Sequence, residues 1–168
     1  MDFEIDHAEG KMAKTLLEDL RDQFQHTFRM LEAEIKRFSS EQWLKGISPF
    51  QTPAVQAMHL YDCLDFYFCG KSEYDWGHRF GGGWWELPAE RWPSQAGVLA
   101  YSQELEERIL AYLASLDQAA LSQPAPVEED PERNQLGALV YALRHTLHHH
   151  GQLAVLAVWH TGDGGEWE

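Results

Sequence analysis

Apolar residues recur at helical spacing in four separate stretches of this chain, and no stretch alternates as a half-buried strand would. That pattern confines the chain to an all-α fold. In the first stretch, about 11–38, Leu17, Leu20, Phe24, Leu31, Ile35 and Phe38 follow one another at steps of three, four and seven. The second, 53–69, opens on Thr52-Pro53, a capping residue followed by proline at the first helical position, and stops at Gly70. The third, 94–116, follows Pro93 and carries Val98, Leu105, Ile109, Tyr112 and Leu116. The fourth, 131–160, starts after Asp130-Pro131 and ends in Thr-Gly-Asp-Gly-Gly. Four amphipathic helices of this length predict a four-helix bundle in a single domain, 1–168.

The connections are longer than a simple up-down bundle needs, which leaves room for a crossover. The stretch 39–51 predicts a short helical turn after Ser39-Ser40. The stretch 71–93 holds Trp76, Trp84, Trp85 and Trp92 with Gly81-Gly82-Gly83. These tryptophans are expected to pack beneath the loop as structure, the alternative being the lining of a pocket. The stretch 117–130, rich in proline and acid, is expected to be a solvated loop.

Several function classes fall away. A net charge of −14 with no Lys/Arg cluster opposes binding to nucleic acid or to anionic lipid. No apolar run approaches the roughly 18 residues of a membrane span. The N-terminal segment MDFEIDHAEGKMAK has acid where a signal peptide carries positive charge, so the expected location is the cytoplasm. Cys63 and Cys69, six apart on one helix, are expected to be reduced thiols.

Histidine is the residue type that points to chemistry. Nine occur, densest in Arg144-His145-Thr146-Leu147-His148-His149-His150-Gly151-Gln152. At about 100° per residue, His145 and His149 stack one turn apart on one helix face. Ala138, Ala142, Gln152 and Leu156 share that stripe. His148 falls to one side, and His150 points nearly the opposite way. Two histidines rarely complete a site, so a third ligand must come from elsewhere. His59 shares a stripe with Val55, Cys63 and Phe66 and should face the core. Asp62 and Cys63 are candidates for outer-shell groups or ligands. A lone inward histidine can equally be satisfied by a hydrogen bond, and three consecutive histidines can be a solvated tract. The apolar surroundings of 145–149 speak against the tract. A second apolar stripe, Leu136, Val140, Leu143, Leu147, Ala154 and Val158, lies roughly opposite the His145/His149 face. It predicts a homodimer interface, or else a wide core face.

At these residues the sequence resembles the DinB-like (DinB/YfiT) superfamily. The family's last helix carries His, three residues, His, any residue, then Gly-Gln, matched by His145, His149, Gly151 and Gln152. Its remaining histidine lies in the second helix, in a segment like Ala57-Met58-His59-Leu60-Tyr61. The resemblance implies an up-down-down-up four-helix bundle, often dimeric, whose metal ligands here would be His59, His145 and His149. Zinc, nickel or iron would be the divalent ion. Some members are thiol transferases or isomerases that use a low-molecular-weight thiol such as mycothiol, bacillithiol or glutathione, and others are described as hydrolases. The tryptophan-rich connection departs from the family pattern.

Three neutral imidazoles would leave an ion its full charge and an open position. Such an ion lowers the pKa of water or holds a thiol as its thiolate, giving hydrolysis in the first case and thiol transfer or isomerisation in the second. The substrate in either case would be a small molecule. Gly81-Gly82-Gly83 lacks the Lys-Ser/Thr of a phosphate loop. Asp62 is a possible general base, with Asp75 and His78 as weaker candidates. A non-catalytic metal protein for folding or sensing is the alternative, with a closed four-ligand site as its mark.

Overall fold

Each long helix begins where a side chain satisfies its free backbone donors. Thr15 opens the first with a capping box, its hydroxyl accepting from Glu18 N–H while the Glu18 carboxylate accepts from Thr15 N–H at 2.7 Å. Thr52 and Ser94 cap the next two long helices through Val55 N–H and Gly97 N–H. In this computed structural model, which describes residues 14–70, 73–125 and 133–164, the α-helices are α1 (Leu16–Lys36), α2 (Ser40–Trp43), α3 (Pro53–Phe68), α4 (Gln95–Ser115) and α5 (Gln135–Thr161). Short 3-10 turns occur at Ala89–Arg91 and Ala120–Ser122. The described residues contain no strand, only an isolated bridge between Pro124 and Asn134. The protein is thus all-α, and α2 is the turn expected after Ser39-Ser40.

Two expected boundaries shift. Residues 14 and 15 are not helical, so α1 starts at Leu16, and the expected start at Lys11 lies outside the described residues. The last helix starts at Gln135, with Asn134 as its cap accepting from Gly137 N–H at 2.8 Å. The expected Asp130-Pro131 cap lies outside the described residues. Arg133 and Asn134 cannot join the helix, because the bridge to Pro124 and a bond from Ala125 N–H to Arg133 O hold them extended.

The four long helices pack so that α1 and α3 each contact both α4 and α5. Their shared core includes Phe24, Leu31, Ile35, Leu60, Tyr61, Leu105, Ile109 and Leu153. α3 is the most enclosed, with eleven of its sixteen residues buried. A helix apolar nearly all round must sit inside its domain. On α5 the buried arc is wider than the histidine stripe predicts. It takes in Leu139, Thr146, His150 and Leu153, so His150, on a different face from the histidine pair, is buried as well. The opposite stripe leaves Val140, Leu147 and Val158 exposed. No helix among the described residues is long and apolar enough to cross a membrane.

Leu31 is fully buried between helices. Leu31→Ala should cost roughly 2–5 kcal/mol, read as a lowered urea midpoint at unchanged slope. A loss below about 1 kcal/mol would mean that this seam is loosely packed.

Candidate metal centre

The contact between α3 and α5 decides which histidines meet. His145 and His149, one turn apart on α5, face His59 across the interface. Ring centroids lie 4.6 Å apart for His145–His149, 4.7 Å for His59–His149 and 5.7 Å for His59–His145. The structure thus brings together the three histidines singled out in the sequence.

Cys63, one turn after His59, joins them. Its Sγ is 3.6 Å from His59 Nδ1. One donor atom each from His59, Cys63 and His145 lie within 4.8 Å of one another, close enough to hold a metal ion. His149 stands beside this set, not within it. Its Nδ1 is 3.1 Å from Gln56 Oε1. With Nδ1 protonated, that bond donates to the amide oxygen and leaves Nε2 with the lone pair. Gln56 was not singled out from sequence. Its only signal is its place one turn before His59 on α3.

Burial keeps these rings neutral. It pushes His149 down to about 3, with nearby His59 and His145 adding to the effect, and His145 down to about 4, again with His59 contributing. Burial also lowers His59. Among the described residues, the histidine within ion-pair distance of a carboxylate is His78, with Asp65 at 3.5 Å. Cations near the cluster would therefore keep their charge. Neutral convergent imidazoles and a hydrogen bond from His149 that leaves its Nε2 lone pair free fit a divalent ion that carries a further ligand.

Asp62 serves a different purpose from the one expected. Its carboxylate is turned away from the histidines and accepts the Gly77 N–H at 3.0 and 2.9 Å and the Tyr74 hydroxyl at 3.0 Å. Burial raises its pKa, and those bonds oppose the rise. Asp65, one turn from Asp62's face, accepts from Tyr74 at 3.1 Å and from Tyr101 and Arg108 of α4. His78 belongs to this second cluster, and its Nδ1 lies 3.1 Å from the carbonyl of Asp75. Asp62 and Asp65 of α3 thus hold the tryptophan-rich connection through Tyr74, Gly77 and His78, while Asp75 bonds within that connection, to His78.

This anchoring positions one tryptophan at the histidines. Gly77 turns the chain at φ 75°, where a Cβ would meet Gly82 O at 2.1 Å, so the 77–82 loop closes only with glycine there. The loop then delivers Trp84, whose ring lies 5.2 Å from His59. Trp92, by contrast, donates its indole N–H to Leu87 O at 3.1 Å and serves the loop itself. The structural packing expected for all four tryptophans holds for Trp92 and not for Trp84.

A sequence model described as the DinB superfamily matches residues 23–153, a stretch that includes all three histidines. Among curated proteins, none matches. Among solved structures, a conserved protein from Enterococcus faecalis superposes with a TM-score of 0.71 at 14% identity, over 90% of this chain and 100% of that one. At that identity the likeness speaks for the fold alone.

Two outcomes are expected here. Asp62→Ala would leave the buried Gly77 N–H without its acceptor and should cost about 1–3 kcal/mol, with a change in tryptophan emission. Unchanged stability would mean that the loop holds without this carboxylate. The second concerns acid. An unfolded imidazole takes a proton near 6.5, whereas His145 and His149 resist to about 4 and about 3. In that window the unfolded chain binds more protons, so this contribution is full above pH 6.5 and is lost as pH falls toward 3. Urea midpoints of the chelated protein should therefore drop more steeply with acid than those of H145N/H149N. Parallel pH profiles would contradict the assignment.

Proposed function

The chain belongs to the DinB superfamily, and from that premise we propose that it is a metal-dependent enzyme holding one divalent ion, zinc, nickel or iron, with His59, His145 and His149. The reaction proposed is thiol transfer or isomerisation, with a low-molecular-weight thiol as cosubstrate and a small-molecule electrophile as substrate. The observation that carries this is the convergence of three neutral imidazoles with ring centroids 4.6–5.7 Å apart. When bound, such an ion supplies Lewis acidity and favours the deprotonated form of a thiol or water in its open position. Hydrolysis is the alternative within the same chemistry.

The chain's own residues define how the site would work. Gln56 orients the His149 ring by accepting from Nδ1. Trp84 stands against His59 and limits water on that side. Cys63 is the residue that separates two readings. Its sulfur lies near enough to His59 and His145 to be a fourth ligand, and a site closed in that way would serve folding or sensing. With Cys63 beside the ion but not on it, a position stays open for substrate.

Two further parts of the proposal follow from the family. The four long helices take an up-down-down-up path. The exposed stripe of Val140, Leu147 and Val158 on α5 forms part of a homodimer interface.

Purified protein should carry about one metal per chain by elemental analysis, and His145→Ala/His149→Ala should remove it. Stoichiometric metal in the double variant would sink the assignment. In cobalt-substituted protein, a thiolate-to-cobalt charge-transfer band that disappears in Cys63→Ser would establish the closed site. Its absence, with turnover of a thiol and an electrophile, would establish the open one.

A further inference from the structure

A groove of about 760 Å³, whose lining includes Phe50, Trp84, Trp85, Leu87, Trp92 and Trp159, meets the histidine cluster through Trp84. We propose that this groove is the recognition subsite for a flat, uncharged aromatic group of the substrate, with Trp84 joining it to the reaction centre. The proposal deepens the function above and rests on it only for the nature of the neighbouring centre.

The tryptophans divide by what their indole N–H groups do. Trp43 and Trp92 donate to the backbone carbonyls of Pro93 and Leu87 at 2.8 and 3.1 Å, as structural tryptophans do. Trp84 and Trp85 have no acceptor among the described residues, and their ring contacts are with other aromatic side chains. Trp84 stands 5.9 Å from Phe50 and 5.6 Å from Trp85 in edge-to-face arrangements, besides its contact with His59. Trp84 is therefore shared between the groove wall and the histidine cluster.

Three of the aromatic side chains in the lining stand open to solvent. Phe50 is 57% exposed, Trp85 50% and Trp159 55%. Each aromatic ring left in water forgoes roughly 25 cal/mol per Å² of apolar surface. Such surface clustered in one concavity marks a binding site more often than chance exposure does. The volume lies within the roughly 300–1,000 Å³ usual for small-molecule sites.

Charge and rigidity narrow the ligand. Lys45 is the charged side chain in the lining, and it is already ion-paired with Glu41. Most of the remaining lining is apolar or aromatic, which favours an uncharged ligand. Close backbone packing shapes both walls. On one side the Ile47 N–H donates to Gln51 O at 3.2 Å, and a Cβ at Gly46 would meet that oxygen at 1.8 Å. On the other, a Cβ at Gly83 would meet the Trp85 ring at 2.7 Å. Glycine at both places lets the aromatic walls stand where they are, and a preformed site loses little entropy on binding.

The test uses two hydroxamates with the same chelating head, benzohydroxamate with a ring and acetohydroxamate without one. Metal-loaded wild-type protein should bind the aromatic one on the order of tenfold more tightly by calorimetry. In Trp84→Ala, and to a smaller degree in Trp85→Ala, that preference should fall toward unity, with circular dichroism confirming the fold of each variant. Equal affinities for the two probes in the wild type would overturn the proposal. A parallel titration of metal-free protein with 2-naphthol separates this from the metal assignment. Quenching of tryptophan emission that is lost in Trp84→Ala supports the groove even where neither hydroxamate binds, an outcome that would count against the metal instead. Tryptophan emission that depends on protein concentration and is unmoved by 2-naphthol would give the groove to a second copy of the chain, and would overturn the proposal.

Discussion

The enclosure of α3 is the constraint from which the rest follows. A helix buried on nearly every side cannot carry polar groups unless each has a partner. α3 nevertheless carries His59, Asp62 and Asp65, besides Gln56 at its first turns. It satisfies them by sorting them between two sides. His59 and Gln56 face the histidines of α5, while Asp62 and Asp65 face α4 and the tryptophan-rich connection. One helix thus separates a neutral, lone-pair-rich cluster from an anionic, hydrogen-bonded one. The separation matters for chemistry, because a carboxylate beside the imidazoles would offset the charge of any cation held there.

Much of this was legible in the sequence, for reasons that can be named. Helical period is local, so the four long helices could be read from spacing alone. Thr52-Pro53 was readable because capping uses a side chain on its own helix. His145 and His149 were readable because four residues make about one turn. The start of the last helix was not, since Asn134 caps it only once a non-local bridge to Pro124 has fixed the preceding backbone. The burial of His150 was not legible, because the width of a buried arc depends on how many neighbours a helix has, and α5 packs against both α1 and α3.

The candidate site was legible as a set of ligands and illegible as an environment. Spacing put Asp62 near His59, but the Gly77 N–H, fifteen residues away in sequence, captures its carboxylate. Cys63 could be placed near His59 by its turn, yet its distance from His145 depends on how α3 and α5 approach. The tryptophans show the limit most plainly. Trp92 and Trp84 lie in one connection, and only the fold reveals that the first closes a carbonyl while the second stands at a histidine.

The Asp65 carboxylate couples two parts of the molecule that are far apart in sequence. It gathers Tyr74 from the connection and Tyr101 and Arg108 from α4 onto a single buried point of α3. Breaking that point would strand a charge in the interior, so the segment around Tyr74 shares the opening free energy of the helices it touches. Loss of the Asp65 carboxylate would therefore loosen the start of the tryptophan-rich connection and the α3–α4 contact together, as one event.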